Sequence, residues 1–127
     1  MRPIRIALSD FSTEVNPQGI DCLRPLKASR PVEFVDFADA DLLIYSDFGE
    51  KHWGFKGLKV YVTGENMLPD FGQCDLAFTP FESADEPRAV RLPYYAQALP
   101  GLGSLVRPTG YDARAYLERE KFCSFVA

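Results

Sequence analysis

Basic charge and long apolar runs are both scarce in this chain, and each shortage removes a class of function. Formal net charge is -4 with a pI near 4.9. No run of Lys or Arg exceeds two residues, so a phosphate backbone finds no basic footprint and nucleic acid is not an expected partner. No apolar stretch approaches the roughly 18 to 20 residues needed to span a bilayer. The start, MRPIRIALSDF, meets charged residues too early for a secretory apolar region, so the expected location is the cytoplasm. Cysteine is sparse as well. Cys22, Cys74 and Cys123 are odd in number and far apart, which suits neither a disulfide framework nor a zinc site, and reduced, buried thiols are expected. With His52 the single histidine, and nothing beside it or the cysteines to mark an activated pair, nucleophilic Cys-His chemistry has little support.

What is present suffices for one core. The 127 residues are 46% hydrophobic and 13% aromatic, and the charged share of 25% is ordinary for a globular domain. Five apolar runs are separated by turn-rich connections: IRIALS (4 to 9), VEFVDF (32 to 37), DLLIYS (41 to 46), LKVYVTG (58 to 64) and DLAFTPF (75 to 81), with AVRLPYY (89 to 95) a candidate sixth. DLLIY and VYV are apolar on consecutive positions, the pattern of strands covered on both faces. The expected fold is therefore α/β, a mostly parallel sheet with helices on both faces.

Helical signals are weaker. Asn16 and Pro17 form an N-cap and first-turn pair ahead of Ile20, Leu23 and Leu26, with Pro25 breaking or restarting that helix. Thr109 and Asp112 make a poor capping box before DARAYLEREK, and FGEKHWGFKG holds a turn or short helix. LPGLGSLVRPT (99 to 109) reads as a loop or linker. KFCSFVA alternates like a strand up to Ala127, which reads as a chain cut short, since termini are usually frayed and polar.

In an open α/β sheet, ligands sit outside the carboxyl ends of the strands. Glu65 and Asn66 follow LKVYVTG there, with Gly64 as the turn; Ser46 and Asp47 follow DLLIY, and Asp10 ends the first run. A carboxylate so placed can act as general base toward a hydroxyl, or simply cap the turn that follows it. Two DFG tripeptides, at Asp47-Phe48-Gly49 and Asp70-Phe71-Gly72, invite a kinase reading that fails for want of a Gly-rich loop and a catalytic HRD. Gly101 and Gly103 lack the rest of a dinucleotide fingerprint. Arg88 and Arg91 suit phosphate or carboxylate but read more simply as solvated residues beside an edge strand. His52 and Trp53 read as a surface histidine and a packed indole, an exposed indole being able to stack on a sugar ring. No carboxylates are singled out as holders of a divalent cation, and neither metal nor cofactor is expected in this chain.

Three stretches in order, KVYVTGENMLPDFGQCDLAFTPF (59 to 81), AVRLPYYAQAL (89 to 99) and KFCSFVA (121 to 127), resemble successive motifs of the α-1,3-fucosyltransferases of glycosyltransferase family 10. The similarity covers roughly residues 38 to 127, while residues 1 to 37 match in pattern only. The resemblance implies a Rossmann-like sheet forming one half of a GT-B architecture. Residues 1-111 would be the N-terminal, acceptor-side domain, and residues 112-127 an interdomain helix and the first strand of a donor domain missing from this chain. It further implies transfer of fucose from GDP-fucose to a glycan hydroxyl with inversion, with Glu65 as catalytic base and Asn66, Asp47 and Trp53 as acceptor-binding residues. The isolated chain would be inactive, and an intact enzyme would lie in the cytoplasm or at the periphery of the inner membrane. The rival expectation is a non-catalytic α/β module that binds a glycan or a protein. A receiver-like fold with Asp10 and Asp47 as its acidic ends is weaker, because the basic residue of a phosphoryl-acceptor site is lacking.

Overall fold

The computed structural model describes residues 1–14, 16–82 and 85–93. The expectations about residues 94–127, including Gly101, Gly103, the DARAYLEREK helix, Cys123 and the KFCSFVA strand, lie outside the described residues.

Each of the six apolar runs contains one strand: β1 (Ile4–Ser9), β2 (Val32–Phe34), β3 (Leu42–Tyr45), β4 (Leu58–Val62), β5 (Leu76–Thr79) and β6 (Ala89–Arg91). They form a single sheet in the order β2-β1-β3-β4-β5-β6, and every neighbouring pair is parallel. The mostly parallel sheet of the sequence reading is thus wholly parallel among the described residues. VEFVDF yields only a short strand, because Phe37 enters a 3-10 turn (Phe37–Asp39) that folds back over the sheet.

The consecutive apolar positions of β3 explain themselves once both faces are seen. Leu43 and Tyr45 point into a cluster with Ala7, Phe55, Tyr61, Cys74 and Ala77, against which Phe37 and Phe71 pack. Ile44, between them, points the other way to Ile6, Leu23 and Val62. The first face is roofed by the 3-10 turns Phe37–Asp39 and Lys51–Gly54, with Phe37 and Phe55 meeting edge to face at 5.1 Å. The second is roofed by Ile20, between the 3-10 turns Pro17–Gly19 and Asp21–Leu23, by Leu23 at the end of the latter, and by Leu26 on helix α1 (Arg24–Ser29). Asn16 does cap its turn, accepting the Gln18 amide at 3.2 Å, and Pro25 restarts the helix in its first turn, where its missing N–H costs nothing. Ile6, Leu23 and Leu43 are almost fully buried, each contributing about 1.5 to 3 kcal/mol of transfer free energy.

The strand order fixes where a site can be. From β1 the chain goes to one side to make β2, then returns to build β3 to β6 on the other. A crevice therefore opens outside the carboxyl ends of β1 and β3, where the order reverses.

Candidate functional site

At that crevice lies a cleft of about 390 Å³, lined by Phe11 and Glu14 after β1, Ser46 and Asp47 after β3, and Thr63 and Glu65 after β4. Glu65 and Gly64 are exposed on its rim, Asn66 is exposed one residue further on, and Thr63 is buried beneath them.

A chain of hydrogen bonds ties these groups together. The hydroxyls of Tyr61 and Thr63 donate to the two carboxylate oxygens of Asp47, one to each. Thr63 Oγ1 in turn accepts the Glu65 amide at 3.0 Å, closing a tight turn over Gly64. Burial, and then the Asp47 carboxylate, push the Tyr61 phenol well above its usual range, so it stays a donor. Asp47 is thus half-buried with both oxygens engaged by its own fold.

Asp10 is an internal organiser rather than a free carboxylate. Its backbone is left-handed, with φ 59, and its side chain is 2% exposed. It accepts from the amides of Lys51 at 3.1 Å and His52 at 3.0 Å, from the Ser9 hydroxyl at 3.2 Å, and pairs with His52 Nδ1 at 2.8 Å. Burial opposes its charge, but the His52 ring, these two amides and Ser9 together hold its carboxyl below the usual range.

His52 and Trp53 are reversed from the sequence expectation. His52 is buried, stacked on Tyr45 with ring centroids 4.1 Å apart and planes 10° apart, whereas the Trp53 indole is 58% exposed. The reason is the pairing with Asp10, a contact 42 residues away along the chain that no local pattern announces. Both rings, with Tyr45, Asp70 and Gln73, line a second recess of about 240 Å³ on the other side of Asp47, which borders both hollows. The structure therefore brings Glu65 and Asp47 into one cleft, sets Trp53 in the adjoining recess, and leaves Asn66 outside both linings.

Both DFG tripeptides have structural explanations. Gly49 sits against Asp10, where an added Cβ would lie 2.4 Å from Oδ1. Asp70 accepts the Gly72 amide at 2.8 Å in a turn of its own. Arg88 is exposed, as expected, but not idle: it chelates Glu86 at 2.8 and 2.9 Å and lies 4.3 Å over the Phe71 ring. Cys74 is buried, and burial raises its thiol pKa, which marks an inert thiol; Cys22 is half-buried on the cleft wall.

One acidic tripeptide escapes the sequence reading, the Asp-x-Asp of Asp39-Ala40-Asp41. It precedes β3 and so lies at the amino edge of the sheet, away from the crevice, with Asp41 paired to Arg5 at 3.1 Å and Arg2 at 3.5 Å. Among the described residues no group of three or more His, Cys, Asp or Glu is placed to hold a metal ion, and no helix is long and apolar enough to cross a membrane.

Residues 6–98 match the family model for the α-(1,3)-fucosyltransferase FucT N-terminal domain. The chain is also similar in fold to solved structures. One is a crystal structure of an α1,3-fucosyltransferase with GDP-fucose, at TM-score 0.60 and 22% identity over 82% of this chain and 30% of that one. Another is a crystal structure of an α1,3-fucosyltransferase, at TM-score 0.61 and 21% identity over 93% of this chain and 37% of the other. A third, of an α1,3-fucosyltransferase with GDP, gives TM-score 0.58 and 20% identity over 92% and 36%. The chain thus spans about a third of the length of the structures that it resembles. No curated protein sequence matches it.

Proposed function

The chain belongs to the family of α-(1,3)-fucosyltransferase N-terminal domains, and from that premise we propose that it is the acceptor-side half of an enzyme that moves fucose from GDP-fucose to a glycan hydroxyl with inversion. The observation that carries the reading is the position of Glu65, exposed on the rim of a cleft at the carboxyl edge of the sheet, on a turn anchored through Thr63 to Asp47. A base that must meet an incoming hydroxyl needs such a place: open to solvent on one side, held from below on the other.

In this mechanism Glu65 takes the proton of the acceptor hydroxyl while that oxygen bonds to the anomeric carbon of fucose. The bond from that carbon to GDP breaks on the opposite face, so the configuration inverts and GDP leaves with the electron pair. Asn66 and Trp53 contact the acceptor, the exposed indole offering a flat apolar face to a sugar ring. Asp47 lies between the two hollows that the glycan would occupy. The opposite wall, which binds GDP-fucose, belongs to a second domain outside this chain, a division supported by coverage of only 30% to 37% of the similar structures.

Calorimetric titration of the 127-residue chain with GDP-fucose, beside a glycan array probed with the labelled chain, tests this division of labour. The expected result is glycan binding without measurable GDP-fucose binding. Tight GDP-fucose binding would overturn the assignment of the chain to the acceptor side.

A further inference from the structure

The geometry points to Asp47 and Thr63 as positioning residues that aim Glu65 through its backbone, an inference that rests on Glu65 being the base.

Register brings the parts together. Tyr45 pairs with Tyr61 across β3 and β4, so two residues further along each chain Asp47 comes beside Thr63. Tyr61 and Thr63 are two apart and project to the same side, so both hydroxyls reach one carboxylate. The Thr63 amide still donates to Phe78 O at 3.1 Å, which holds this residue in the sheet although the strand proper has ended.

Proton arithmetic then sets the direction of every bond. An ionised carboxylate can only accept, so Asp47 takes the one hydroxyl proton that Thr63 owns. Thr63 Oγ1 is left with lone pairs alone, which makes it the acceptor for the Glu65 N–H at 3.0 Å. Asp47 thereby fixes the rotamer of Thr63, and Thr63 fixes the peptide that carries Glu65. Without this tether the exposed Gly64-Glu65 peptide would be free to rotate, and a base displaced by about 1 Å loses much of its advantage.

Amide hydrogen exchange on the chain itself provides the test. In Thr63→Val, which keeps the branched shape but removes the hydroxyl, the Glu65 amide should exchange about tenfold faster, the equivalent of one lost hydrogen bond. The amide of buried Ile44 should not change. Thr63→Ser, which restores the hydroxyl, should bring Glu65 back to about the original rate. Asp47→Ala, which takes the acceptor away from both hydroxyls, should again speed Glu65 and serves as the test should Thr63→Val fail to fold. An unchanged Glu65 rate in both Thr63→Val and Asp47→Ala, or a Ser variant as fast as the Val variant, overturns the inference. Full turnover in Glu65→Gln would sink the base assignment while leaving these rates as they are, so the two failures are separable.

Discussion

Replacing Gly49 by Ala adds one methyl group in the second residue after Asp47, and its cost can be worked from the contacts. The new Cβ would lie 2.4 Å from Asp10 Oδ1, 3.1 Å from Cγ and 3.4 Å from Cβ, so something must move. Asp10 is poorly able to: Phe48 N donates to its carbonyl at 2.8 Å, and its carboxylate holds the Lys51 and His52 amides and the His52 ring. Overpacking costs about 1 to 3 kcal/mol, and a weakened hydrogen bond to a buried charge adds about 1.5 to 3 kcal/mol. A destabilisation of about 3 kcal/mol follows, which at a slope near 1.5 kcal/mol per M lowers the urea midpoint by about 2 M. Circular dichroism is the suitable signal, because the single Trp53 is exposed in the folded state and reports little. Gly19→Ala is the control, since its Cβ would meet only Asn16 Nδ2 at 3.9 Å, and it should stay within about 0.5 kcal/mol of the parent. If Gly49→Ala is as stable as the control, the account of the Asp10 centre is wrong.

Other expectations follow from the same contacts. Asp10→Asn should cost about 2 to 4 kcal/mol at neutral pH, because a carboxamide cannot accept all four donors, and urea midpoints measure it directly. Asp10 has a folded pKa below its ordinary 3.8, so its contribution is complete above that value and lost as pH falls through the folded one. Stability profiles from pH 7 down to pH 2 should accordingly show a shallower acid limb in Asp10→Asn than in the parent. Leu43→Ala, in a fully buried position of β3, should lose about 2 to 5 kcal/mol in denaturant titration, whereas Trp53→Ala should change stability by less than about 1 kcal/mol.

What the sequence discloses and what it hides divide along a physical line. A strand buried on both faces must be apolar at consecutive positions, so LLIY and VYV reveal themselves, and the connections between them reveal a parallel sheet. The place of Glu65, though not its role, was legible for a similar reason, since a Gly-Glu step at the end of such a strand lies at the carboxyl edge of the sheet. The roles of Asp10, His52 and Asp47 were not. Each depends on a partner 14 to 42 residues away, and neither propensity nor spacing encodes which loop closes on which carboxylate. The His52 and Trp53 exchange shows the cost: adjacent residues in one turn, of which one must face inward, and only the buried Asp10 decides which. Asp39-Ala40-Asp41 shows the converse, a motif plain in the sequence that β3 begins too late to deliver to the crevice.

The central claim is that Glu65 is the base of a fucosyl transfer, and it is tested most directly by turnover of the Glu65→Gln variant in an enzyme joining this domain to a GDP-fucose-binding half. Removal of general-base catalysis predicts a fall in kcat of about 10² or more, with the circular dichroism and urea midpoint of the parent preserved, because Glu65 is exposed and its tether to Thr63 runs through the backbone. A Glu65→Gln enzyme that turns over at the parental rate would contradict the claim.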